Sequence, residues 1–291
     1  MSDQRELQLE SKASRASAFR LQLRQLLESA SAALKKMDDA IAILNAVAPA
    51  SSVRTPWGSS VAEEVVINWA SNILSDFSRE HRGITHFALT TNDIDPRFYR
   101  IAEIEVDDRS IEEALRLNDI TFDEFIELYL ERYDFDAFVT LLEEMASKVE
   151  SWGLKDAAEQ LYSLLKMGSR QLGPVRRGRC TLFEMCAYDS FGSYNYDTIE
   201  KLGKLASIGP VIEADTGLTG LAQAFNCAYH SLFHHNAVRS SRTNLTPGQA
   251  IDILTFKDKF QFKMPHDTAE ALIAFVRIHA PDKALAPSAA A

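Results

Sequence analysis

Residues 18–47 read AFRLQLRQLLESASAALKKMDDAIAILNAV. In this stretch Phe19, Leu23, Leu26, Ala30, Ala33, Met37, Ala40, Leu44 and Val47 recur at alternating steps of four and three. That spacing returns side chains to one side of an α-helix and is the seam of a coiled coil. Leu27, Leu34 and Ile41 add a second apolar row seven residues apart, so the apolar face is wider than a two-stranded seam needs. A long helix from Ser2 to Val47 is therefore expected, closed by Pro49 and the Ala-Ser-Ser stretch after it. Two uses of its apolar side stay open. The helix packs into a bundle of its own chain, or it self-associates through Phe19, Leu23, Leu26, Ala30, Ala33, Met37 and Leu44.

Outward from this helix the pattern stays largely helical. A second helix is expected over 60–81, stopped by Gly83, with Trp69 on or beside its apolar face. Residues 84–89 read as a short strand and 100–106 as an edge strand. Ser110 opens a short helix, and Thr121 with Glu124 three residues later forms a capping-box pattern for the next, through Arg132. Two further helices are expected over 136–152 and 155–167. At Gly173-Pro174 the character changes, with more aromatic and β-branched residues and clustered glycines. A strand is read over 179–188, and helices over 198–207 and 219–235. The clearest β signal is the alternation Ile251, Ile253, Phe256 and Phe260, Phe262, Met264 about Lys257-Asp258-Lys259, a hairpin followed by a helix over 268–279. The expected fold class is α+β, mainly α. Its parts are a helical domain over 1–172, a smaller α+β domain over 173–280, and a disordered tail over 281–291.

Composition narrows the function classes. The 291 residues are 46% apolar and 25% charged, enough for a sizeable core. Three cysteines fit free thiols in a reducing compartment. The polar N-terminus and the lack of a long apolar run predict a cytoplasmic chain with no membrane contact. The net charge is −10, and residues 103–150 carry 16 acidic against 4 basic side chains, a balance of −12 within that block. Phosphate contacts need clustered cations, so direct nucleic-acid binding is not expected of the whole. A dense carboxylate array instead attracts a protein with a basic surface. Asp123, Glu124, Glu127, Glu131, Asp134 and Asp136 are the residues read as its partner-binding face.

Other constellations point to chemistry with less support. Cys227, His230 and His234 lie at i, i+3 and i+7, on one side of a helix, and are of zinc-ligand type. Cys180 and Cys186 are the available thiols for a fourth ligand. Against this, Phe225, Tyr229 and Phe233 crowd the same segment, as in an aromatic core helix. Arg176, Arg177 and Arg179 form a basic loop ahead of aromatic residues, a pattern for phosphate or a splayed base, or for pairing with the chain's own carboxylates. Asp252 with Gln261 and Lys263 has some residue types of a metal-dependent nuclease strand pair. Gln261 stands where a second carboxylate is needed, so an ordinary exposed hairpin face is expected there. No nucleophile elbow, P-loop, dinucleotide fingerprint or HExxH helix occurs.

The stretch Ile251-Asp252-Ile253-Leu254-Thr255-Phe256, with Phe260-Gln261-Phe262-Lys263-Met264 and a helix after it, gives the C-terminal third a family texture. It resembles uncharacterised accessory proteins carried by phages and plasmids. The resemblance implies a small, motif-poor inhibitor that binds a host nucleic-acid-processing or defence complex. The leading expectation is thus a non-enzymatic, oligomeric interaction protein with no cofactor and an acidic face for a basic protein partner. The alternatives are a zinc-dependent enzyme or zinc-stabilised domain at Cys227, His230 and His234, and a phosphate or nucleic-acid module at Arg176, Arg177 and Arg179.

Overall fold

The computed structural model describes residues 2–47, 56–169, 174–187, 189–190, 193–194, 196–235, 242–256, 258–283 and 289–290. The fold is α+β and mainly α, as the periodicities predict. It divides into two compact units. The first comprises Met1–His81 with Ala88–Val149, and the second Arg82–Phe87 with Glu150–Ala291. The division falls after Val149, inside a helix. The boundary expected at Gly173-Pro174 involves residues 170–173, which lie outside the described residues.

In the first unit, α1 (Ser2–Val47) and α2 (Gly58–His81) pack together. Helix α2 buries Ala62, Val66, Trp69, Ala70, Ile73, Leu74 and Phe77, a stripe of steps of one, three and four on one side of the helix. The strand expected over 84–89 is absent, because the backbone there serves other partners. Leu89 N–H donates to the buried Ser78 hydroxyl at 2.7 Å. Short 3₁₀ turns at Thr91–Asp93, Pro96–Phe98 and Ile101–Glu103 follow. The edge strand expected over 100–106 reduces to β1 (Glu105–Val106), paired with β2 (Arg109–Ser110). Asp107 and Asp108 join the two with φ of 51° and 66°. Then come α3 (Ile111–Arg116), capped by Ser110, and α4 (Phe122–Arg132). The Thr121–Glu124 capping box forms in both directions.

The two helices expected over 136–152 and 155–167 are one, α5 (Phe135–Leu164). Gly153 does not interrupt it. A Cβ there would lie 2.2 Å from the Thr85 hydroxyl, so the glycine leaves room for a neighbour within the second unit. Up to Val149, α5 supplies the first unit's core with Phe138, Val139, Leu142 and Met145. Trp69 sits at the centre of that core, with Phe138, Tyr133, Phe135 and Phe19 at ring-centroid distances of 5.5, 5.6, 6.2 and 6.3 Å. The Tyr133 hydroxyl donates to the Phe98 carbonyl at 3.0 Å. Burial pushes the phenols of Tyr129 and Tyr133 well above their ordinary range.

The second unit is built on a sheet. Its elements are β3 (Val175–Arg177), β4 (Cys180–Cys186), the small pair β5 (Asp189–Ser190) and β6 (Ser193–Tyr194), α6 (Tyr196–Thr216), α7 (Leu221–His235), β7 (Thr243–Asn244), β8 (Asp252–Thr255), β9 (Lys259–Pro265), α8 (His266–His279) and β10 (Ala289–Ala290). Strand order is β10-β3-β4-β9-β8-β7, antiparallel except for β10 beside β3. Of the tail expected to be disordered, residues 284–288 and 291 lie outside the described residues. The expected hairpin is β8–β9, with Ile253 opposite Phe262 and Thr255 opposite Phe260. Lys257 of its turn lies outside the described residues.

Alternation sorts the strands' side chains onto two faces. Phe183, Met185, Ile253, Phe260, Phe262 and Met264 enter the core under the helices. The helix expected over 198–207 continues through Pro210 to Thr216. Its second half packs on α7 so closely that a Cβ on Gly209 would lie 2.8 Å from the Ala222 Cα. The Glu213 carboxylate accepts the Leu221 and Ala222 N–H groups, satisfying donors at the start of α7.

Candidate functional site

The apolar rows of α1 are divided between two environments. Ala16, Leu23 and Leu27 are buried, and Phe19 packs on Trp69 and Phe138. These residues hold α1 in its own bundle. Farther along, the seam turns outward. Leu26 is 41% exposed, Met37 42% and Leu44 50%, while Ala33 and Ala40 are exposed and Ala30 is half-buried. Ile43, on the flank of the seam, is 67% exposed. The expected self-association set thus splits: Phe19 and Leu23 serve the first unit's own packing, and Leu26, Ala30, Ala33, Met37 and Leu44 form a continuous stripe beside it.

The acidic row of α4 is also partly used inside the first unit. Arg24 of α1 donates to both carboxylate oxygens of Glu127, at 2.5 and 2.8 Å. One Asp123 oxygen accepts from Lys35 at 2.6 Å and the other from Ser31 at 2.7 Å. Glu124 closes the capping box, and Asp134 accepts the Ala137 N–H at the start of α5. Glu131 and Asp136 remain exposed. Four of the six residues read as partner-binding therefore bond within their own unit. Sequence reading missed this pairing, although Arg24, Ser31 and Lys35 fall at spacings of seven and four, which is one side of a helix.

These contacts shift the carboxyls in the expected direction. The hydrogen bond from Lys35, then that from Ser31, holds Asp123 below its ordinary 3.8. The Thr121 backbone N–H and hydroxyl lower Glu124, and Arg24 lowers Glu127, from an ordinary 4.5. A depressed folded value means a contribution present above the unfolded value and lost as pH falls through the folded one. The melting temperature is therefore expected to fall as pH drops below the ordinary carboxyl values of 4.5 and 3.8. Replacing Arg24 and Lys35 with alanine should flatten that fall, which melts followed by circular dichroism at each pH will show. An unchanged slope would remove these pairs from the acid response.

The remaining sets are dispersed. Arg176 pairs with Glu270 of α8 at 2.6 Å, while Arg177 and Arg179 are exposed. The turn between them is pinned through His266, whose Nε2 meets the Gly178 carbonyl at 2.9 Å and whose Nδ1 meets the Thr181 hydroxyl at 2.8 Å. Cys227 is half-buried, with its thiol 3.5 Å from the Leu245 carbonyl, and His230 is exposed. The His234 side chain lies outside the described residues. Cys180 and Cys186 share the sheet face opposite Phe183 and Met185, away from the helices that hold Cys227, so neither thiol faces that helix as a fourth ligand. Among the described residues no three His, Cys, Asp or Glu side chains gather in a metal-holding group.

On the same outer sheet face, Asp252 accepts from Asn244 at 2.9 Å and lies 3.5 Å from Lys263. Glu184 accepts from Lys259 and Gln261. Each carboxylate is thereby occupied by a lysine and an amide. Open clefts lie beside Trp57, Lys35 and Arg116 (about 400 Å³) and beside Tyr196, Tyr229 and Phe233 (about 370 Å³). No described helix is long and apolar enough to cross a membrane. Compared with family models, with curated proteins and with solved structures, the chain has no match.

Proposed function

We propose that this chain is a non-enzymatic interaction protein that self-associates through α1 and offers the acidic surface of its first unit to a basic protein partner. The observation that carries the reading is the seam Leu26–Leu44, a coiled-coil spacing whose large side chains Leu26, Met37 and Leu44 are exposed while Leu27 of the neighbouring row is buried and Leu34 and Ile41 are half-buried. Charge supports the second half. The first unit holds 27 acidic against 15 basic residues, a balance of −12, and the second 14 against 16, or +2. A surface of that sign speeds capture of a cationic one, including a surface that otherwise binds nucleic acid.

Sedimentation of the full chain over about a hundredfold concentration range tests the first half, with a dimer expected at the upper end. Leu44→Asp should weaken association by roughly tenfold or more, because it places a charge in an apolar seam. For the second half, retention on an immobilised arginine-rich polypeptide is the readout. Reversing Glu131 and Asp136 to lysine should lower retention more than reversing Asp258 and Asp267 of the second unit. Equal effects would refute a localised acidic face.

A further inference from the structure

We infer that the occupant of the exposed α1 seam is the same seam of a second copy, running antiparallel about a two-fold axis at the level of residue 35, between Ala33 and Met37. The inference rests on the self-association reading and adds its geometry. A two-fold interface must be self-complementary, each residue meeting a partner that meets it in return. Turned end for end about position 35, the seam maps onto itself. Leu26 faces Leu44, Ala30 faces Ala40, and Ala33 faces Met37.

Side-chain size selects this direction over the parallel one. In a parallel pair every layer is like on like. Met37 would oppose Met37, with Ala33 on Ala33 and Ala40 on Ala40 in the layers to either side. The methionines would then set a helix separation at which the alanine layers leave gaps, at a cost in packing. In the antiparallel pair each Met37 lies over an alanine, so the two central layers are alike in volume and only the two Ala30–Ala40 layers are alanine on alanine, against three such layers in the parallel pair. The opposed helix dipoles favour the same direction.

The arrangement has a signature on its flank. Lys36 follows Lys35 by one position, so the two copies of Lys36 meet across the axis when the helices are antiparallel. In a parallel pair Lys36 would instead lie beside Ile41. The two ammonium groups repel, so salt should strengthen the antiparallel dimer, and Lys36→Ala should tighten it roughly twofold to fivefold.

Disulfide trapping reads the direction. In the full chain with Cys180, Cys186 and Cys227 changed to serine, and its fold checked by circular dichroism, Leu26→Cys and Leu44→Cys are made singly. The antiparallel pair predicts a covalent dimer when the two variants are mixed and none from either alone, since like positions then lie about 27 Å apart along the axis. Covalent dimers from each variant alone would show a parallel pair, overturning the inference and leaving self-association intact. A dimer by sedimentation that no cysteine traps would place the contact elsewhere and overturn the inference. A chain that stays monomeric throughout would end the self-association reading itself. Should the cysteine substitutions disturb the fold, the salt and Lys36→Ala responses of the otherwise unchanged chain decide: a dimer that neither strengthens overturns the antiparallel pair.

Discussion

Trp69→Ala is expected to destabilise the first unit by about 3–5 kcal/mol, the usual loss for truncating a large buried aromatic. That is a large part of the stability of an ordinary domain, about 5–15 kcal/mol. Trp69 is 1% exposed and touches rings from α1, α5 and the Tyr133 turn, so several elements lose one shared partner together. The midpoint of thermal unfolding should drop by on the order of 10 °C. Hydrogen exchange read by mass spectrometry should show the loss of protection over residues 12–47, 56–81 and 88–149 rather than over the sheet. Trp69→Phe is the control. Among the described residues the buried indole N–H has no hydrogen-bond partner, so phenylalanine removes an unsatisfied donor while keeping an aromatic ring. Its cost should be well under that of alanine. Similar losses for the two would mean that the ring contacts do not hold the unit together.

Phe262→Ala should cost the second unit a similar amount, about 3–5 kcal/mol. Strand β9 lies between β4 and β8, and Phe262 is fully buried opposite Phe183 and Ile253. From the helical layer Phe225 meets it edge to face at 6.1 Å. The adjacent Lys263 points to the other face, where its contact with Asp252 is partly exposed. Lys263→Ala should therefore cost no more than about 1 kcal/mol. Chemical denaturation of the two variants measures the contrast. A Lys263→Ala loss as large as that of Phe262→Ala would overturn the assignment of faces.

Local chemistry made much of this architecture legible. The heptad rows marked α1, the Thr121–Glu124 capping box marked the start of α4, and alternating apolar residues marked β8 and β9. Each of these signals is carried by residues close in sequence, where geometry leaves few alternatives. The failures have the same character. The helices read over 136–152 and 155–167 are one, because Gly153 makes room for Thr85 and not for a turn. The helix read over 198–207 is longer, because α6 runs through Pro210 and packs on α7. The strand read over 84–89 does not form, because Leu89 N–H bonds to Ser78, 11 residues away.

The candidate site divides along the same line. By itself the sequence determined that α1 has more apolar surface than one contact needs, and that the negative charge concentrates between Glu103 and Glu150. Both follow from residue type and spacing. Only the tertiary structure decided which apolar residues of α1 pack inward and which carboxylates are occupied. Leu23 and Leu27 are buried while Leu26 and Leu44 are exposed, and Asp123 and Glu127 are paired with Lys35 and Arg24 at the surface. Residues about 90 to 100 positions apart set those outcomes, and a one-dimensional period cannot say which side of a helix its neighbours will cover.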